Sequence, residues 1–175
     1  MEIRFKDRSE EWPYDRIFAV CGEVSDTDVA ASVAIVDNEG LRTQVTVLSG
    51  AGYSCFQDAR CVEDIAYIGF GEYIFVLNMN TGASFSHRLD GYFGHMYDDS
   101  DLENLPARFS VLVTSASEAL TFVRTGELLW TRPNLGIDGV VFLAADEKQF
   151  NGEGEWDPPG GWKKFAVSAD SGAVI

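Results

Sequence analysis

The amino-acid sequence predicts an all-β fold, and three observations support this prediction. Short runs of aliphatic and aromatic residues recur along the 175 residues and are separated by residues that favour turns. No segment shows the spacing of apolar residues that a long amphipathic helix requires. Four of the turns end in a glycine, at intervals of 42, 44 and 46 residues, namely Gly40, Gly82, Gly126 and Gly172. The sequence therefore indicates four β-rich units of about 44 residues.

The clearest unit covers residues 65–87 and shows the pattern that the other units repeat. It reads IAYIGF, YIFVLN and ASFSH, with a break at Gly71 and an Asn-Thr-Gly turn between the runs. This pattern predicts strand, turn, strand, turn, strand. Elsewhere the glycine turn follows SVAIV, ALTFV or KFAVS, and glycine fits there because a tight reversal commonly needs positive φ. Further strands are predicted by LRTQVTVL and ELLWT after the turns, and at residues 16–24, 64–70, 109–114 and 139–145 before them.

The N-terminal residues have a different pattern. MEIRF alternates apolar and charged side chains, which predicts a half-buried edge strand. Because the fourth unit stops three residues after Gly172, we expect this strand to pair with the last sheet and close the structure. A turn or so of helix is predicted only at residues 100–105, before Pro106.

Four units of this length and pattern resemble the blades of β-propellers of the WD-repeat and quinoprotein types. The resemblance implies small antiparallel sheets that stack radially. The chain departs from both families, because no Trp-Asp dipeptide closes a unit and the Trp that follows a quinoprotein-type turn occurs once, at Trp130. We expect one all-β domain over residues 1–175, a small propeller-like array of four antiparallel sheets. An open meander or a β-sandwich is the alternative.

The charge of the chain restricts its partners. The 28 acidic and 13 basic residues give a formal net charge of −15, so nucleic acid and anionic membranes would be repelled and a basic protein attracted. The N-terminal segment is charged and no apolar run reaches the length of a membrane span, which predicts a cytoplasmic protein. Cys21, Cys55 and Cys61 form no CxxC pair, and we expect them to be buried reduced thiols.

Two stretches that we interpret as inserted loops interrupt the repeat, at residues 90–106 and 146–162. Loops inserted in a repeat scaffold often carry binding residues. Both stretches mix aromatic and acidic side chains, which a surface for a basic protein needs as anchors and as charge partners. Packing of the loops on their own sheets is the structural alternative. The candidate partner-binding residues are Tyr92, Phe93, His95, Tyr97, Asp98, Asp99, Asp101, Glu103, Glu153, Glu155, Trp156 and Asp157.

Motifs for catalysis, cofactors and metals are missing from the sequence. There is no GxSxG, no phosphate-binding loop and no recognisable Cys-His signature, so we predict neither an enzyme nor a cofactor. His87 and His95 lack further ligands at zinc spacing, and the acids that begin at Asp98 lack the glycine and bidentate Glu of an EF-hand. No metal site is predicted.

These features favour a non-enzymatic binding protein with a basic protein partner. In size and charge the chain is similar to bacterial toxin-immunity proteins, which suggests an immunity or antitoxin-type inhibitor that occludes a basic nuclease toxin. A protein-interaction scaffold would use the same surface without inhibiting its partner. An enzyme that binds a small ligand or carbohydrate through loop carboxylates is the other alternative.

Overall fold

A computed structural model describes residues 1–7, 12–23, 25–50 and 54–175, and this part of the chain is all-β. It contains 15 strands in four small sheets and no helix, which confirms the predicted fold class. The chain divides into two compact units, Met1–Arg88 and Leu89–Ile175, each with two sheets and an apolar core of its own. No described segment is a helix long and apolar enough to cross a membrane.

The first unit contains eight strands. The order in its first sheet is β1-β3-β4-β2 and in its second sheet β5-β6-β7-β8, and all neighbours are antiparallel except β2 and β4, which are parallel. The strands are β1 (Glu2–Phe5), β2 (Arg16–Cys21), β3 (Val29–Val36), β4 (Arg42–Leu48), β5 (Gln57–Val62), β6 (Ile65–Phe70), β7 (Tyr73–Asn78) and β8 (Ser84–Arg88).

The second unit contains seven strands. A four-stranded antiparallel sheet has the order β12-β11-β10-β9, and a three-stranded antiparallel sheet has the order β13-β14-β15. The strands are β9 (Phe93–Tyr97), β10 (Phe109–Ser115), β11 (Ala119–Val123), β12 (Leu128–Arg132), β13 (Val140–Ala145), β14 (Gln149–Glu155) and β15 (Trp162–Ser168).

The glycine turns are where the sequence places them. Gly40, Gly82, Gly126 and Gly172 have φ angles of 84°, 73°, 87° and 65°, and each lies in a turn of a different sheet. A side chain would also clash at Gly172, because a Cβ there would lie 2.6 Å from Cε3 of the Trp130 ring. The fourfold repeat of strands and turns is therefore confirmed, and the resemblance to propeller blades stays a prediction.

The expected pairing of the N-terminal strand is wrong. Strand β1 pairs with β3 in the first sheet, where Ile3 lies opposite Ile35 and Phe5 opposite Val33. These pairs place Ile3 and Phe5 against the core of the first unit, which explains why the strand stays there. Strand β2 then lies parallel to β4 at the edge of the same sheet. The strand predicted at residues 16–24 ends at Cys21, and its last residue lies outside the described residues.

Both stretches that we interpreted as inserted loops contain a strand. Residues 90–106 include β9, an edge strand, and residues 146–162 include β14, the middle strand of its sheet. The expected helical turn at residues 100–105 is a series of turns, in which the Asp98 carboxylate accepts a hydrogen bond from the Ser100 amide at 2.8 Å. Strand β5 was also missed from the sequence, because its half-polar sequence QDARCV lacks a run of apolar residues.

The cysteines are less buried than expected. Cys21 and Cys55 are exposed and Cys61 is partly buried, and all three are free thiols. Burial raises the pKa of the Cys61 thiol to about 12, so the reactive thiolate is scarce at neutral pH.

We predict that two of the three thiols react with a disulfide reagent in the native protein at pH 8. Cys61 should react only after unfolding, because its thiolate is disfavoured and its side chain is shielded. Absorbance of the released thiol chromophore measures the count, and the variant Cys61→Ala is the control. The prediction fails if this variant loses one of the rapidly reacting thiols.

Candidate functional site

Strand β14 explains the alternation of glycine and glutamate in the sequence NGEGE. Gly152 and Gly154 face the side of the sheet that carries the core, where a Cβ on Gly152 would lie 2.6 Å from Cζ of Phe165. A Cβ on Gly154 would lie 1.7 Å from the carbonyl oxygen of Leu135. Glu153 and Glu155 alternate with the glycines and therefore point to the opposite, partly exposed face.

We predict that Gly154→Ala destabilises the protein by about 2 kcal/mol or more, because the added methyl group meets backbone that cannot move without disturbing its hydrogen bonds. Chemical denaturation measures the free energy of unfolding. The matched control is Glu153→Ala on the outer face of the same strand, for which we expect a much smaller change. Equal losses in the two variants would contradict the close contact.

Four segments of the second unit form one hydrogen-bonded end, which we call the acidic end: residues 90–92, 115–118, 135–139 and 155–162. The Tyr92 hydroxyl donates a hydrogen bond to the backbone oxygen of Asp138 at 2.5 Å. The amide of residue 135 donates to the carbonyl of residue 117 at 2.8 Å. Glu155 pairs through its backbone with both Ile137 and Gly139, at 2.8 and 2.9 Å. These bonds join parts of both acidic stretches.

The acidic end exposes large apolar side chains among carboxylates. The exposed fractions are 54 % for Ile137, 37 % for Trp156 and 42 % for Trp162. Glu155 lies opposite Trp162 in the sheet, and its Oε1 accepts a hydrogen bond from the Gly160 amide at 2.6 Å. The Trp162 ring covers Gly139, where a Cβ would lie 3.1 Å from the ring. The exposed carboxylates of Asp138 and Asp157 belong to the same end.

The other aromatic candidates, Phe93, Tyr97 and His95, lie on strand β9 and outside the four segments of the acidic end. Phe93 is 1 % exposed, so its side chain belongs to the interior. Tyr97 is partly buried and its hydroxyl accepts a hydrogen bond from the Phe142 amide at 3.3 Å, while burial raises the pKa of its phenol. His95 is exposed on the edge strand β9, and its ring lies 6.1 Å from that of Tyr97.

The acidic run that begins at Asp98 lies at the opposite end of β9. Tyr92 precedes this strand and Asp98 follows it, which separates the two residues by about 20 Å at the usual rise per residue. Asp98 holds its own turn together, because its carboxylate accepts hydrogen bonds from the amide and hydroxyl of Ser100. The other acids of the run, Asp99, Asp101 and Glu103, are exposed. The second unit therefore distributes the predicted residues over two ends.

A buried carboxylate that the sequence analysis missed supports the acidic end. Glu118 is 5 % exposed, and its Oε1 accepts a hydrogen bond from the Asp90 amide at 2.7 Å. Burial raises the pKa of Glu118, the hydrogen bond from Asp90 opposes this, and the Asp90 carboxylate raises the pKa further. That carboxylate in turn accepts a hydrogen bond from the Ser117 hydroxyl at 2.7 Å. The sequence SASE has no feature that would indicate a buried glutamate.

We predict that Glu118→Gln raises the melting temperature at pH 7. The folded state binds the Glu118 proton more tightly than the unfolded state does, because the pKa of Glu118 is raised on folding. The contribution of this group to the free energy of unfolding is therefore complete below its ordinary pKa of 4.5 and is lost as the pH rises through the higher pKa of the folded state. The variant removes this loss and keeps an oxygen for the Asp90 amide.

Calorimetry at several pH values measures the difference between the two proteins. It should shrink as the pH is lowered towards 4, and the exposed Glu103→Gln variant should show no such trend. A difference that is the same at pH 4 and pH 7 would contradict the raised pKa.

Comparisons with known proteins assign no family to this site. No family model matches the chain, and no curated protein is significantly similar to it. Function is therefore inferred from the geometry and charge of the second unit.

Proposed function

We propose that this chain is a non-enzymatic binding protein whose acidic end recognises a basic protein. The observation that supports this proposal is the position of Ile137, Trp156 and Trp162, which are exposed among carboxylates on one hydrogen-bonded end. Exposed tryptophans supply the large apolar contacts that dominate binding energy. The carboxylates attract a cationic partner and pair with its lysines and arginines.

The partner class that fits best is a nucleic-acid-binding toxin. A nuclease binds phosphates through lysine and arginine, so its active face is basic. A protein of net charge −15 is drawn to such a face and, once bound, excludes nucleic acid from it. In this role the chain acts as an immunity or antitoxin-type inhibitor, and it works in the cytoplasm, where the host's nucleic acid needs protection. The bacterial toxin-immunity systems supply the analogy through charge and size alone.

The hydrogen bonds of the acidic end favour tight binding. Its loops are tied to each other through Tyr92 and Asp138, and the Pro-Pro-Gly-Gly turn is tied to Glu155. Loops that are already ordered lose less conformational entropy when a partner binds. The hydrogen bonds between these loops therefore favour a preformed interface and also stabilise the fold of the second unit.

Affinity capture from host lysate at low and high salt tests the proposal. We expect one basic protein in equal proportion to this chain, whose nuclease or toxic activity is silenced in the complex. A stable partner whose activity is unchanged would indicate the scaffold function instead. The absence of any basic partner at either salt concentration would overturn the proposal.

Two charge variants then locate the interface on the captured partner. The triple variant D138N/E155Q/D157N neutralises three carboxylates of the acidic end, and the control D99N/D101N/E103Q neutralises as many acids at the opposite end of β9. We expect the first variant to slow association about tenfold at low salt and to weaken its salt dependence, whereas the control should have a much smaller effect. Stopped-flow or surface-based kinetics measure both rates. Equal effects would show that net charge alone governs association, and a larger effect of the control would place the interface at the other end.

A further inference from the structure

We propose that the exposed face of the Trp156 indole binds an arginine side chain of the basic partner, and that Lys163 occupies this position in the free protein. The inference rests on the function proposed above and specifies which group of the partner the acidic end recognises. It assigns Lys163 the role of an internal substitute for the ligand.

The contact between these two residues has the geometry of a cation–π interaction. The ammonium nitrogen of Lys163 lies 5.6 Å from the centroid of the Trp156 ring. Such contacts form within about 6 Å of an aromatic face. Both side chains are exposed, so a cation from another molecule can approach the ring if Lys163 moves away.

The register of the sheet explains why Lys163 lies at the ring. Lys163 is opposite Gly154, which has no side chain, whereas Lys164 is opposite Glu153 on the other face of the sheet. The turn after β14 returns the chain, because the Trp156 amide donates to the Gly161 carbonyl at 2.9 Å. The indole is thereby held next to Lys163.

A guanidinium group would use this position better than an ammonium group. Its planar face stacks on an indole, and its edge donates hydrogen bonds in a fork that matches a carboxylate. Asp157 follows Trp156 directly and is exposed, so the same turn supplies a carboxylate that can accept hydrogen bonds. Glu155 is already tied to the Gly160 amide and adds negative charge to the same end. Arginine is therefore the favoured occupant.

Two adjacent lysines supply a matched pair of variants. Lys163→Met and Lys164→Met remove the same charge from neighbouring exposed positions on opposite faces of β15, but only the first removes the ammonium group that lies over the Trp156 ring. The probe is an oligoarginine peptide, and an oligolysine peptide of equal length is the comparison. Fluorescence anisotropy of the labelled peptide measures the dissociation constants.

We expect Lys163→Met to bind oligoarginine roughly two- to fivefold more tightly than Lys164→Met does, which is the fold-change that a cation–π contact at an exposed site can supply. The gain should be smaller with oligolysine. Combining each variant with Trp156→Leu should abolish the difference between the two lysine variants. Equal affinities of Lys163→Met and Lys164→Met, or a difference that survives Trp156→Leu, would overturn the proposal.

The outcome separates this proposal from the function on which it rests. If the captured partner loses affinity for D138N/E155Q/D157N while the two lysine variants behave alike, the basic-partner function stands and the arginine site falls. If no basic partner is captured but the difference between the lysine variants depends on Trp156, the arginine site stands and the proposed inhibitor function falls.

Discussion

The acidic end depends on one close backbone contact. The carbonyl oxygen of Leu135 lies where a side chain at Gly154 would have to be, so only glycine lets the 135–139 segment lie against the end of β14. The backbone bonds of Glu155 to Ile137 and Gly139 follow from that approach. They hold residues 137 and 139 against the backbone of Glu155. The inward-facing Gly154 thus permits the backbone contact that holds the exposed Ile137 at the acidic end.

The turns and strands differ in how far the sequence could predict them. Turns that end in a glycine with positive φ, such as Gly82, and apolar strands such as β7 are local features, and the sequence located them. The sequence predicts a loop over residues 146–162 because this stretch interrupts the repeat, and the glycines and acids of NGEGE are residue types that are depleted in strands. Its strand character comes from tight packing on Phe165 and Leu135, which no local pattern indicates.

Pairing partners were harder to predict than strands. The alternation in β1 correctly indicated an edge strand, but several sheets could have accepted it, and the apolar pairs with β3 decided the outcome. Glu118 was missed for a related reason. Its burial depends on residues 90–92, which close over the turn between β10 and β11 and are distant in sequence. Contacts between residues that are distant in sequence thus determine both the pairing of β1 and the burial of Glu118.

Net charge was the basis for the partner prediction from sequence, and the structure adds how that charge is distributed in the second unit. The acids at residues 98–103 and those of the acidic end lie on either side of β9, so they cannot all contact one small patch. In the second unit the exposed tryptophans, Trp156 and Trp162, lie among the carboxylates of the acidic end, and the Lys163 ammonium group lies over the Trp156 ring. Charge alone steers a partner towards the molecule. The proposal of a single interface therefore depends on the exposed aromatic side chains, because desolvated apolar contacts supply most of the energy that holds a bound partner in place.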